Sequence, residues 1–392
     1  MLRVLTLATL FPDSGRPDFG RFVLRQTQAL AAREGVAVEV VAPVGLPPWP
    51  LRLHRHYAAR ARLPERETFE RLSVHRPRFR VLPRLGDAGA AKALAREVLP
   101  LARALKPDVV DAEFFWPDGV AAMHLARALG IPFSVKARGS DIAYWGARPK
   151  VRAQMLAAAE AAGGLLAVSA ALKREMEALG MPAEKIAVHH TGIDLDRFRP
   201  GDKAAAKTRL GVPGPLLVCV GALVPVKGQA LAIAALAELP DATLILAGDG
   251  PERARLEAEA RRLRVAERVR FAGAVRHGDL PHLLHAADAM VLPSEREGLA
   301  NAWLEALACG APVVIPDVGG AREVVDRPEA GRIAARDPVA IAGAVREMLA
   351  APPDPEAVRA AARRFSWDAN GAALHRHLAA IGATDCRRSG SP

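Results

Sequence analysis

Two glutamates, Glu297 and Glu305, stand eight positions apart in the stretch EREGLANAWLEALACGAPVV, residues 295–314. A carboxylate can give one oxygen to each hydroxyl of a vicinal diol. Between the two lies what reads as a helix start, with Asn301 placed to cap it and Gly310, just before Pro312, placed to end it. The amino terminus of such a helix carries free N–H groups and a partial positive charge, an anion site suited to a diphosphate. One glutamate could then hold a sugar and the other a ribose, with the phosphates between them. On spacing alone a plainer reading is equally good: Glu305 complements the helix dipole and Glu297 is a solvated loop residue.

Other chemical patterns are weaker. Asp194 and Asp196 form a D-x-D in TGIDLDRFRP, but in a polar, Gly- and Pro-containing stretch that reads as a turn and hinge. GDGPER has Arg253 where a dinucleotide fingerprint needs its third glycine. The histidines, His189-His190 among them, lack metal-ligand spacing. The GxSxG and GxxxxGK[ST] patterns are absent, which argues against hydrolase and P-loop chemistry. Cys219, Cys309 and Cys386 have no paired spacing and read as free thiols in a reducing compartment.

The elements that must position these residues follow from the hydrophobic rhythm. Short apolar runs such as RVLTLATL, VAVEVVAPV and PFSVKAR alternate with Ala/Leu/Arg helical runs, which predicts parallel sheets covered on both faces. The rhythm breaks at residues 191–207 and restarts at PLLVCVGAL. The chain has 392 residues, more than one core usually organises. The expected fold is therefore α/β, with two Rossmann-like doubly wound domains facing a cleft at the carboxyl ends of their strands. The predicted boundaries are 1–196, 197–364, and a returning helix and tail over 365–392. The first residues read as a strand rather than a signal peptide, and no apolar run reaches the roughly 20 residues of a membrane span. A cytoplasmic protein is expected.

The net charge of +11 is uneven. From Leu51 to Lys106 there are 14 lysines and arginines against 5 acidic residues, a surplus of nine. Beside them GLPPWPL offers Trp49 and Leu51, with Leu53 and Tyr57 following. Basic and apolar residues together suit an anionic lipid surface. A merely solvated arginine-rich face is the competing reading, and nucleic acid is the least favoured partner.

The long stretch EREGLANAWLEALACGAPVVIPDVGGAREVV resembles the E-x7-E region of the family 4 glycosyltransferases. VGALVPVKGQALAIAALAELPDATLILAGDGPER, VRFAGAVRHGDLPHLLHAADAMVLPS and TGIDLDRFRP extend the resemblance over nearly the whole chain. FPDSGRPDFGRFVLRQTQAL with ARGSDI is similar to a subgroup that includes teichuronic-acid-type transferases. The resemblance implies the GT-B fold, a nucleoside-diphosphate-sugar donor, retention at the anomeric carbon and no required metal or cofactor. It places Glu297 at the donor sugar, the main chain of Gly298, Leu299 and Ala300 at sugar and phosphate, Glu305 at the ribose, and Lys227 at the leaving diphosphate. Gly248 and Gly250 would let the main chain approach the donor, Val275 would meet the base, and the loop from Gly15 to Gly20 would cover the diphosphate. Asp141, Glu113 and Asp118 fall on the acceptor side.

Two positions depart from the family pattern. Ala222 stands where an arginine usually helps clamp the diphosphate, and Arg138 where a histidine is often found. Arg138 could restore the missing charge by reaching a phosphate, with Asp141 as its partner or as a helix cap. The expected function is transfer of a sugar to a hydroxyl acceptor, lipid-linked or glycan, in cell-surface polysaccharide or glycolipid biosynthesis. The alternatives are a sugar-nucleotide epimerase on the same architecture, for which no acid/base motif is visible, and a catalytically silent basic binding protein, which Ala222 and Arg138 would favour.

Overall fold

The computed structural model describes residues 1–81 and 87–388. Side chains are described for these except at positions 55, 56, 87 and 384–388, so the expectations placed on Arg55 and on the Cys386 thiol lie outside the described residues. The chain forms two compact units, Met1–Gly192 with the segment from Trp367 onward, and Ile193–Ser366. The crossing falls at Gly192–Ile193, four residues before the predicted position, because Ile193 pairs its main chain with Ser366 inside the second unit.

In the first unit the order is β1 (Leu2–Leu7), α1 (Arg21–Ala31), β2 (Val36–Val41), β3 (Val44–Leu46), α2 (Arg55–Ala61), β4 (Arg66–Phe69), β5 (Leu72–His75), β6 (Arg78–Arg80), α3 (Asp87–Leu105), β7 (Val109–Ala112), α4 (Val120–Leu129), β8 (Phe133–Ala137), α5 (Pro149–Ala161), β9 (Gly164–Ala167), α6 (Ala170–Leu179) and β10 (Ile186–Val188). Eight strands form one sheet in the order β10-β9-β8-β7-β1-β2-β5-β4, and β3 pairs with β6 separately. Pairing is parallel except for the β4–β5 hairpin. Strands such as Phe133–Ala137 and Val109–Ala112 are buried at every residue, as a sheet covered on both faces requires. Strand order reverses between β1 and β7.

The second unit runs α7 (Lys203–Leu210), β11 (Leu216–Val220), α8 (Gln229–Ala237), β12 (Thr243–Ala247), α9 (Arg253–Arg262), β13 (Val269–Gly273), α10 (Leu280–Ala286), β14 (Ala289–Val291), α11 (Asn301–Ala308), β15 (Val313–Ile315), α12 (Ala321–Val324), β16 (Gly331–Ile333), α13 (Pro338–Ala350) and α14 (Pro355–Ala362). Its six strands are all parallel in the order β13-β12-β11-β14-β15-β16, and the order reverses between β11 and β14. The last helix, α15 (Trp367–Arg388), belongs to the first unit, where Leu374, Leu378 and Ile381 pack with Val4, Leu30, Val109 and Leu166.

Candidate active site

In open parallel sheets a crevice forms outside the carboxyl ends of the two strands where the order reverses, because their following loops diverge. In the second unit those strands are β11 and β14. The loop after β11 ends in a short turn, Pro225–Lys227, and the loop after β14 carries residues 292–300. Lys227 Nζ donates to Glu297 Oε1 at 2.5 Å, and Ser294 Oγ donates to the same oxygen at 2.8 Å. A main-chain bond from Glu295 N to Val226 O ties the two loops together. The pair is mostly sheltered, with side chains 24% and 11% exposed. A partly desolvated ion pair of this kind is held in one geometry and leaves the ammonium close to any charge that develops nearby.

Backbone crowding explains the glycines around it. Gly228 has φ +69° and lies against Pro293. Gly248, with φ +155°, touches the Gly221 carbonyl, and a Cβ on Gly250 would run into the Leu223 carbonyl oxygen. Leu223 N donates to Asp249 O, and Gly248 N to Gly273 O, so the loops after β11, β12 and β13 are laced together. Gly319 lies against the Glu297 carbonyl, and Gly320 N donates to Gly298 O.

Beside this loop α11 begins. The sequence expectation for Asn301 is corrected: the N-cap is Ala300, which has no capping side chain, and Asn301 is the first helical residue. The first turn also lacks an acidic residue. Its leading N–H groups therefore have no side-chain acceptor, and the helix keeps its electropositive end. Gly310, with φ +79°, follows the helix as expected. Leu299 and Ala300 are buried at its entrance.

Glu305 is 7% exposed and sits one turn into α11. His277, from the loop between β13 and α10, approaches its Oε1 at 3.0 Å through Nε2. Arg197 approaches His277 Nδ1 at 3.3 Å, and a guanidinium can only donate. That fixes the tautomer: Nδ1 accepts from Arg197 and Nε2–H donates to Glu305. Phe198 meets the imidazole edge-on at 5.1 Å. Asp194 accepts from its own turn at Arg197 N, while Asp196 is exposed, so the D-x-D shapes a turn. Val275 is half-buried in the loop after β13, and Ala222 is exposed, its carbonyl accepting from Gln229. Among the described residues no group of three or more His, Cys, Asp or Glu side chains is placed to hold a metal ion. The Cys219 and Cys309 thiols are pushed up to about 12 by burial, which removes them as nucleophiles.

In the first unit the reversal lies between β1 and β7. The loop after β1 contains Gly15 and Gly20. Asp13 accepts from Gly15 N at 3.0 Å, and Gly20, with φ +69°, lies against the Leu10 carbonyl. The loop after β7 holds Glu113 and Asp118, both fully buried. Asp118 accepts from Thr9 N at 2.9 Å and so joins the two loops. Its burial raises its pKa to about 7. Asp141 accepts from the main-chain N–H groups of Phe115, Arg138 and Gly139. It holds loop backbone rather than the Arg138 guanidinium. Burial pushes it upward, against these donors.

Arg138 pairs with Glu113, its side chain is 7% exposed, and its guanidinium lies 4.7 Å from the centre of the Phe22 ring. The charge that could have reached a phosphate is offset by Glu113 within its own unit. Behind the pair, Gln26 joins Glu113 to Lys136, whose Nζ also reaches His189 Nδ1 at 2.6 Å. His189 Nε2 meets the Asn370 carbonyl at 2.9 Å, and Asn370 Nδ2 donates to His190 O. This buried polar chain thus ends where the polypeptide leaves and re-enters the first unit.

Residues 19–197 match the family described as Glycosyltransferase Family 4, and residues 202–365 match Glycosyl transferases group 1. A Bacillus subtilis (strain 168) protein named as a teichuronic acid biosynthesis glycosyltransferase is 32% identical over 332 residues, covering 81% of this chain and 82% of its own. The chain belongs to the family 4 glycosyltransferases. A D-inositol 3-phosphate glycosyltransferase of Frankia alni is 32% identical over 68% of this chain and 75% of its own. Among solved structures, the sucrose-phosphate synthase of Thermosynechococcus elongatus superposes with TM-score 0.81 at 20% identity, covering 98% of this chain and 100% of that one. Anabaena HepE in complex with UDP and glucose gives 0.74 at 22% identity over 97% and 100%. These neighbours establish the two-domain GT-B fold.

The family 4 motif residues of the second unit, Lys227, Glu297, Glu305 and the surrounding glycines, cluster at one sheet reversal. Sequence reading missed two participants. Ser294 lies three residues before Glu297, and its hydroxyl could have been suspected from that spacing alone. His277 lies 28 positions from Glu305, and no local pattern marks it.

Proposed function

We propose that this glycosyltransferase moves a sugar from a nucleoside-diphosphate sugar to a hydroxyl acceptor with retention at the anomeric carbon. The observation that carries the reading is the Lys227–Glu297 pair beside the uncapped amino end of α11, with Glu305 one turn further in. A diphosphate at that helix end is stabilised by N–H groups and by Lys227, so the phosphate can leave as the glycosidic bond breaks. Glu305, oriented by His277, accepts from the two ribose hydroxyls. Glu297 accepts from hydroxyls of the donor sugar. In a front-face displacement the departing phosphate oxygen takes the acceptor proton, so no protein side chain need act as general base.

The relatives named for teichuronic acid biosynthesis and for D-inositol 3-phosphate glycosylation support an acceptor on the path to a cell-surface polysaccharide or glycolipid. A peripheral place on an anionic membrane face fits the first unit. Trp49, Leu51 and Leu53 are 70%, 56% and 65% exposed in the segment leading into α2; Arg52 lies in the same segment, Arg60 in α2 and Arg62 just after it. Among the described residues no helix is long and apolar enough to cross a membrane.

The test is a panel of nucleotide sugars, with release of nucleoside diphosphate and the configuration at the anomeric carbon followed by NMR, with and without EDTA. Turnover with retained configuration in EDTA is expected. Inverted product, or activity lost to EDTA and restored by a divalent ion, would overturn the mechanism.

A further inference from the structure

Within the first unit, the loop after β1 and the end of α2 enclose a cavity of about 310 Å³ lined by Asp13, Gly15, Arg16, Arg60, Arg62 and Leu63. Three guanidinium groups and one carboxylate meet here. The carboxylate is already committed. Asp13 Oδ2 accepts from Arg16 at 2.6 Å, and Oδ1 accepts from Gly15 N. Among the described residues neither Arg60 nor Arg62 has an ion-pair partner. Arg60 Nε is buried and has no hydrogen-bond acceptor there. Burial and the neighbouring Arg16 charge both depress the Arg60 pKa, which reports like charges held together at a sheltered place. A half-buried arginine in this position costs stability unless an anion completes it.

The guanidinium fork matches the oxygens of a phosphate and binds them in pairs. The segment leading into α2 carries the exposed Trp49, Leu51 and Leu53, so an apolar chain attached to that phosphate has a surface to lie on. We propose that the Arg16–Arg60–Arg62 cavity binds a phosphate group carried by the acceptor, separately from the diphosphate of the donor. The acceptor is then a phosphorylated one, a class that includes glycans linked to lipid through phosphate. This rests on the transferase reading above and narrows it.

The same chemistry could instead come from the donor diphosphate, since Gly15 belongs to the loop assigned to it by family resemblance. The experiment separates the two. Inorganic phosphate is titrated into the full-length protein already saturated with whichever nucleoside diphosphate it binds best, and the affinities of both ligands are measured by calorimetry and 31P NMR. The wild type binds phosphate while the nucleotide is in place. Arg60→Gln weakens phosphate binding about tenfold, the loss expected for one charge-assisted hydrogen bond, and leaves the nucleotide affinity unchanged. Arg60→Lys retains part of it. Arg62→Gln, at an exposed position, gives a second reading that does not depend on how well Arg60→Gln folds. Absence of phosphate binding to the wild type, or phosphate binding in both glutamine variants as tight as in the wild type, overturns the proposal. A parallel loss of nucleotide affinity also overturns it by assigning the cavity to the donor, and it leaves the transferase reading intact.

Discussion

Lys227 and Glu297 are joined before any substrate arrives, and Ser294 braces the same oxygen. In the proposed mechanism this holds the ammonium in position for the leaving phosphate and leaves the carboxylate its remaining capacity for the sugar. Glu297→Ala removes this orientation while leaving the helix end and Glu305 in place. Turnover falls roughly a hundredfold, as for loss of one preorganised transition-state contact, with donor still bound. Steady-state kinetics beside donor titration checks this; affinity lost in step with turnover would contradict it. At this scale the sequence was legible where a motif fixes residues close in the chain, as with Glu297 and Glu305. It was misleading at Asn301, because a good capping residue one position too late enters the helix instead. It was silent at His277, because that contact depends on a strand and loop folding back over α11.

At the scale of elements, the strands and helices of the second unit were readable because buried parallel strands are continuous apolar runs. The β4–β5 hairpin and the short β3–β6 pair were not. β4, β5 and β6 fall in the arginine-rich segment, where polar side chains hide the alternation, and β3 is only three residues long. The return of the last helix was expected. What the sequence could not show is that α15 brings polar groups under the sheet. His377 Nε2 lies 2.8 Å from Ser134 Oγ, and burial pulls its pKa from 6.5 to about 4. The native state keeps this imidazole neutral while the unfolded chain takes up a proton. Stability from this group is therefore complete above about 6.5 and is lost as the pH falls toward 4. In His377→Gln, which still bonds to Ser134 but does not titrate, denaturant midpoints should fall less than in the wild type between these pH values. Equal slopes would remove His377 as the cause.

Across the whole molecule, two units of the same plan carry unlike charge. The surplus of nine basic residues in 51–106 lies in the first unit, as do the exposed Trp49, Leu51 and Leu53. Each exposed arginine near an anionic leaflet contributes about 1 kcal/mol, and salt screens it over about 8–10 Å at physiological strength. Sedimentation with anionic vesicles should therefore show binding at low salt that weakens at high salt and is lost when Arg52, Arg60 and Arg62 are changed to Glu. Binding that ignores vesicle charge would assign these arginines to solvation alone. The domain plan was legible because the strand–helix rhythm stops and restarts, whereas the site of crossing depended on the Ile193–Ser366 pairing, which no local pattern announces.

The proposed function requires the reversal point of the second sheet to hold a nucleoside-diphosphate sugar through Glu305, Lys227 and the α11 amino end. Calorimetric titration of a nucleotide-sugar panel into the wild type and Glu305→Ala tests it most directly. At least one donor should bind the wild type. Its affinity should fall roughly a hundredfold in the variant, taking about 3 kcal/mol for two hydrogen bonds between the ribose and a charged group. Equal affinity for that donor in both proteins, or no binding of any nucleotide sugar to the wild type, would contradict it.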